Sequence, residues 1–362
     1  MTRLSVLVLF LAACGSKSTP PVSPLPEPAP EAAQTQPAAE DKQPEPPPQP
    51  QPVEFTIPAP AVTVKLVSPG KGKRAPLRYT AKPGDKHEVE LALDLAAVQT
   101  LNTNPPDKKV TPTLVLLADF EAKAVDPDGK IDYTVTLAGT DARQAEGSTQ
   151  PVEEVKQALT VLSSLKITGT TAANGAPGEI TMRLDPTTDR AAEMLLDAVR
   201  MSLPPWPVLP TEPVAPGAKW QVTVGALLAN QLETTQTTDY TLTSKKGKVW
   251  SIKGTTKVSG ADRDLDGGAK ITGISGTGET EAALTEGTFY PVFKRWVETK
   301  FTASAPNETV SISIKVGGAA TMRGAPGATP AAKPAAKAAP AKPAAKPAAK
   351  PAEAPAEKPA TP

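Results

Sequence analysis

Cysteine and histidine each occur once in 362 residues, at Cys14 and His87. With no second residue of either type, a shared His/Cys metal centre is excluded. A Ser-His-Asp arrangement is not indicated either, because no serine sits in a Gly-x-Ser-x-Gly elbow. His87 stands among Asp85, Lys86 and Glu88, and that setting predicts an exposed residue at a strand edge. No Walker A sequence and no Gly-x-Gly-x-x-Gly loop occurs, so no nucleotide cofactor is expected. Beyond the first residues, no segment approaches the 18 consecutive apolar residues that a spanning helix needs. Aromatics make up only 4% of the chain, and the basic C-terminal segment has none on which bases could stack, which argues against nucleic acid as a partner.

The N-terminus carries the first positive signal, MTRLSVLVLFLAACGS. Arg3 supplies a positive start, and Leu4 to Ala13 is apolar but for Ser5. This stretch is too short to cross roughly 30 Å of hydrocarbon. It suits the apolar region of an export signal. It ends in Leu11-Ala12-Ala13-Cys14, which resembles the lipobox of bacterial lipoprotein precursors. The resemblance implies cleavage after residue 13, a diacylglycerol on the Cys14 thiol, and acylation of the new amino terminus. The implied partner is a membrane reached through lipid on Cys14. The implied location is the bacterial cell envelope, with the outer membrane expected. A lone thiol in an oxidising compartment is a liability unless it is modified. Two or three acyl chains give stable anchoring where one does not.

Composition divides the mature chain in three. Residues 14–54 hold the cysteine and a spacer rich in Pro, Ala, Gln and Glu, in which Lys17 and Lys42 face six acids. Proline fixes φ and removes amide donors, and too few apolar side chains remain to offset the entropy of ordering. An extended spacer is expected, able to hold the folded part roughly 100 Å from the lipid at about 3 Å per residue. Residues 324–362 form an Ala/Lys/Pro tail, with six lysines against two glutamates from Thr329 onward. It is expected to be flexible, and its charge allows weak contact with anionic envelope polymers.

Residues 55–323 are expected to be the folded part. Alternation dominates it: Val89, Leu91, Leu93 and Leu95 oppose Glu88, Glu90 and Asp94. The same period recurs from Ile131 to Leu137, from Trp220 to Val224 and from Val310 to Val316. Period two with one apolar face predicts antiparallel sheet, in about ten strands here. Turn signals lie at Asp126–Gly129, Asn174-Gly175, Lys245–Gly247 and Asp266–Gly268. Two helices are predicted, over 151–165 and 186–203, each opened by proline at its first positions. The expected fold is mainly β: a large curved antiparallel sheet, half-barrel-like, covered by one or two helices.

Three segments carry a further resemblance: Pro76–Asp85 (PLRYTAKPGD), Val208–Trp220 (VLPTEPVAPGAKW) and Gly287–Phe293 (GTFYPVF). Together they resemble an uncharacterised family of bacterial lipoproteins, over about residues 75–322. This chain departs from the family in having Ala218-Lys219, where an aspartate commonly precedes the tryptophan. The resemblance implies fold and location and no activity. The expected shape is also similar to periplasmic lipid carriers with half-barrel sheets, by fold analogy alone.

Asp262-Arg-Asp-Leu-Asp-Gly267 matches positions 1, 3, 5 and 6 of a calcium-binding EF-hand loop, with Asp262, Asp264 and Asp266 as the candidate ligands. Calcium needs six to eight oxygens with a bidentate acid at position 12, and Gly273 stands there. A hairpin turn is the expectation. With no catalytic constellation, three functions stay open. The first is a non-catalytic structural or binding domain, and the second a carrier of a lipid or other hydrophobic ligand between sheet and helices. The third is a hydrolase using paired carboxylates. An internal cavity, as against a filled core, separates the first two.

Overall fold

The protein is described by a computed structural model over residues 52–185, 196, 199, 206–228, 232–265 and 268–323. The chain forms two compact units, Met1–Ala325 and Pro326–Pro362; the second lies outside the described residues.

Among the described residues, fifteen strands form a single antiparallel sheet. They are β1 (Val53–Ile57), β2 (Val62–Ser68), β3 (Lys86–Leu101), β4 (Asp107–Val110), β5 (Thr113–Val125), β6 (Ile131–Arg143), β7 (Lys166–Thr171) and β8 (Pro177–Leu184). After a break come β9 (Lys219–Leu228), β10 (Leu232–Lys246), β11 (Val249–Ser259), β12 (Arg263–Asp264), β13 (Lys270–Thr285), β14 (Val292–Ala305) and β15 (Glu308–Met322). Helix α1 (Val152–Leu159) runs into a 3-10 turn at Thr160–Ser164. The mainly β fold expected from alternation is thus the one observed. The strands number fifteen rather than ten, because short ones such as β4 and β12 carry no readable pattern.

Helix α1 opens after Pro151 with Glu153 and Glu154 in its first turn, where acids favour the helix dipole. Its Val155 and Leu159, with Leu162 of the following turn, are buried against the sheet. The second expected helix lies outside the described residues except at Leu196 and Val199, both helical and both buried. The Cys14 region, the spacer and the Ala/Lys/Pro tail also lie outside them.

The sheet order is β1-β8-β7-β6-β5-β3-β15-β14-β13-β11-β10-β9-β2, with β4 paired to β3 and β12 to β13. Its two edge strands, β1 and β2, are consecutive in the chain, joined only by Pro58-Ala-Pro-Ala61. Five Cα steps span at most roughly 17 Å. The sheet must therefore curl enough to bring the end of β1 within that distance of the start of β2, and it stays open, since no ladder joins its two edges.

Curling turns one face inward, and the inward residues make two separate cores. The larger gathers Leu91, Leu116, Ile131, Trp220, Trp250, Phe289 and their neighbours. A smaller one joins Leu232, Ile271, Ile274, Phe301, Val310 and Ile312. A fully buried side chain of this kind contributes about 1.5–3 kcal/mol.

His87 is not the exposed edge residue expected. It lies in β3, which has β5 and β15 on either side, and it shares the inward parity of Val89 and Leu91. Its ring packs 4.6 Å from that of Phe289, and its Nε2 is buried without a hydrogen-bond partner. Burial lowers its pKa, against an opposing pull from Asp85.

Candidate functional site

About eight strands make a barrel whose interior side chains can fill; wider ones enclose space. Thirteen strands on one curled path are too wide to fill, and between the two cores lies a cavity of about 1070 Å³. Ligand pockets typically measure about 300–1,000 Å³.

One end of the cavity is plugged by aromatic rings. Trp206 lies 5.5 Å from Tyr79, 5.5 Å from Tyr133 and 5.6 Å from Tyr290, ring centre to ring centre. Phe120 lies 4.3 Å from Tyr290. Backbone carbonyls of the segment after Trp206 are tied down by ring donors: Tyr79 Oη donates to Pro207 O at 2.9 Å, and Trp220 Nε1 to Val208 O at 2.8 Å. Arg78 adds hydrogen bonds to the carbonyls of Pro210 and Thr211. Asn174 O accepts from Leu209 N in a turn whose Gly175 has φ +82, with the Tyr79 ring where a side chain would point. The segments Pro76–Asp85, Val208–Trp220 and Gly287–Phe293 converge on this plug. Burial raises the Tyr133 pKa to about 12 and that of Tyr290 further still.

The opposite end is the mouth. Pro58 to Ala61, Ala226, Leu227, Glu233 and Gly260 to Arg263 border it. Leu227 is 53% exposed, so the rim has an apolar point among its charges.

The middle is polar in an ordered way. Six polar residues are buried among those described, Thr171, Thr234, Thr238, Thr256, Thr280 and Thr299, and all six border the cavity. Thr238 and Thr256 pair hydroxyl to hydroxyl at 2.9 Å, and Thr234 Oγ1 donates to Ala226 O at 3.1 Å. Beside them, successive register partners across the sheet are Trp220, Tyr240, Gly254, Thr280, Arg295, Gly318 and Leu93. A Cβ at Gly254 would meet the Tyr240 ring at 2.7 Å, so the glycine lets that ring lie over the sheet toward Thr280. On the far side of Arg295, Gly318 presents no side chain.

Arg295 is thereby the one charged side chain of the described lining that is not at the rim; Glu233, Asp262 and Arg263 are all exposed. Burial lowers its pKa from the ordinary arginine value, and Tyr240 acts in the opposite sense. Arginine stays protonated in proteins, so the cost of burial is carried as charge. Taking an ion out of water costs roughly several kcal/mol unless a partner compensates. No carboxylate among the described residues pairs with Arg295. Arg295 is half-buried and lines the cavity.

The acidic loop does something else. Asp262 Oδ1 accepts a hydrogen bond from Gly273 N at 3.0 Å, and Asp264 pairs with Lys270 at 3.2 Å. Leu265 N donates to Ala269 O at 2.7 Å, closing a hairpin between β12 and β13. Asp266 lies outside the described residues. Two of the three candidate calcium ligands are thus engaged in holding a turn.

Sequence reading missed Arg295, though its parity was available. Phe293, Arg295, Val297 and Phe301 share one face of β14, so the arginine sits in an apolar, inward series. No protein-family model matches the chain, and a search of curated proteins finds no match.

Proposed function

We propose that this chain is a lipid-anchored protein of the bacterial cell envelope whose β domain binds a hydrophobic ligand inside the curled sheet. The observation that carries the reading is the cavity of about 1070 Å³ left between two separate cores. Tyr133, Trp206, Val222, Val297, Ile314 and Val316 give its lining the apolar character that a lipid chain requires. Anchoring rests on Leu11 to Cys14, and the spacer of residues 14–54 would give the domain reach from the membrane. Membership of the uncharacterised lipoprotein family is part of the same proposal. It is supported by the meeting of the family-like segments at one structural feature, the aromatic plug. The reading is non-enzymatic: the single histidine is committed to packing against Phe289.

Protein purified from envelopes without added lipid, then extracted with organic solvent, should release a hydrophobic compound at close to one molecule per chain. Val297→Trp places an indole in the cavity and should lower that yield severalfold while the far-ultraviolet spectrum is kept. No extractable ligand, together with no binding of hydrophobic fluorophores, would return the domain to a purely structural role.

A further inference from the structure

The position of Arg295 says more about the ligand than the apolar lining does. A guanidinium is placed inside a cavity, away from the rim, with its neighbours in the row cut back to threonine and glycine. Structural arginines usually find a carboxylate, and this chain shows how it builds such a pair: Arg143 binds Glu90 through both nitrogens at 2.8 Å on the outer face. Arg323 likewise pairs with Asp119 and Glu88. Arg295 has no such partner among the described residues, although it is the cation most in need of one.

Its surroundings are also set for a guest. Thr280 is its direct cross-strand partner on one side and is buried, while Gly318 leaves the other side open. Thr299, four residues along the same face and so roughly 13 Å further along the strand, places a buried hydroxyl on the wall beyond the head. A planar guanidinium offers a fork of donors that matches the two oxygens of a carboxylate or phosphate. The Thr280 hydroxyl can supply a further hydrogen bond to such a group. From Arg295 the cavity continues in one direction to Trp206 and Tyr290, and in the other to Val297, Ile314 and Leu227. Head chemistry therefore lies midway and apolar walls extend from it.

We propose that the ligand is an anionic amphiphile, whose carboxylate or phosphate head is held by Arg295 beside Thr280 while its acyl chain lies along the apolar lining. The inference rests on the hydrophobic-ligand reading above and specifies its chemical class. The head neutralises the half-buried cation, so ligand and protein each supply what the other lacks. Neutral lipids of equal length leave Arg295 unpaired and are discriminated against for that reason.

The test uses the mature polypeptide from residue 15 onward, which carries neither the apolar leader nor an acylated cysteine, so no detergent is needed that would itself fill the cavity. Binding of cis-parinaric acid is compared with that of its methyl ester by fluorescence, and fatty acid and phosphatidic acid are used as competitors. The wild type should prefer the acid by at least tenfold, the range of a charge-assisted hydrogen-bond pair. Displacement by fatty acid alone assigns a carboxylate head, and displacement by phosphatidic acid assigns a phosphate; either supports the proposal. Arg295→Met should lose the preference yet still bind the ester, and Arg295→Lys should keep part of it. Equal binding of acid and ester by the wild type, unchanged in Arg295→Met, overturns the anionic head and leaves the hydrophobic cavity standing. Binding of neither overturns both. Should Arg295→Met fail to fold, the wild-type comparison of acid with ester still decides.

Discussion

Two tryptophans that differ in one respect offer a direct test of the cavity. Trp220 is sealed in the large core, 1% exposed, stacked on Tyr240 at 5.5 Å, and does not border the cavity. Trp206, 9% exposed, does border it. Truncating a buried tryptophan to alanine costs about 3–5 kcal/mol, and the upper end applies where the hole cannot collapse or fill. Trp220→Ala belongs at that end. It also leaves the Val208 carbonyl without its donor, which adds about 1 kcal/mol, for a total of about 6. Trp206→Ala opens onto space that is already there. Its lost volume joins the cavity, the Tyr290 hydroxyl that shares a hydrogen bond with Trp206 can be met by water instead, and the cost stays at about 3 kcal/mol. For a domain of this size each kcal/mol lowers Tm by roughly 2–4 °C. The expected losses are therefore roughly 12–24 °C for Trp220→Ala and roughly 6–12 °C for Trp206→Ala. Urea denaturation followed by circular dichroism measures both free energies. If Trp206→Ala proves as costly as Trp220→Ala, the space beside Trp206 is filled and the cavity reasoning fails.

Labelled palmitate should enter the wild-type chain and not Cys14→Ser; equal labelling of the two would remove the lipid anchor from the proposal. Burial lowers the His87 pKa below the usual histidine value of 6.5, so as pH falls through that value the unfolded chain binds a proton that the folded chain resists. Stability should therefore decline from about pH 6.5 downward until the folded-state pKa is passed, and His87→Phe should flatten that decline; thermal melts at pH 7.5 and 5.5 that shift equally in both proteins would refute it. Calorimetry with calcium should show no binding tighter than about millimolar, the weak end of extracellular sites. A micromolar constant abolished by Asp262→Asn would show that the hairpin is a metal loop after all.

The sheet was legible because its inward residues are strongly apolar where they meet the large core. Val89, Leu91 and Leu93 of β3 could be read in no other way, and Pro151 with its two glutamates announced α1. The cavity was illegible for the complementary reason. Thr234 to Thr238 alternate threonine with threonine and glutamine, so neither face stands out, although Thr234 and Thr238 turn inward and Thr235 does not. Arg295 sits beside Lys294, and adjacent cations read as a solvated stretch until the parity of Phe293 and Val297 is followed. The curl itself came from topology: nothing local to β1 or β2 says that strands five residues apart in the chain belong to opposite edges. His87 was misjudged on its adjacent charges, Lys86 and Glu88, which in a strand lie on the other face.

The short link between those two edges also sets an order in time. Val53 pairs with Leu184 and Val62 with Val224, so neither of the first two strands has a partner until far more of the chain has been made. Pairings of such sequence separation are slow to form, because the loop must close before any contact repays it. The strands synthesised first are consequently among the last to be placed, and they arrive together because four residues bind them to each other. The β14–β15 hairpin forms locally, but β15 must then find β3, and at Leu95 and Val316 that ladder spans more of the chain than either of the other two. A half-folded chain has walls and no interior, and the compartment comes into being only when the β3–β15 ladder and the two edge strands are all in place.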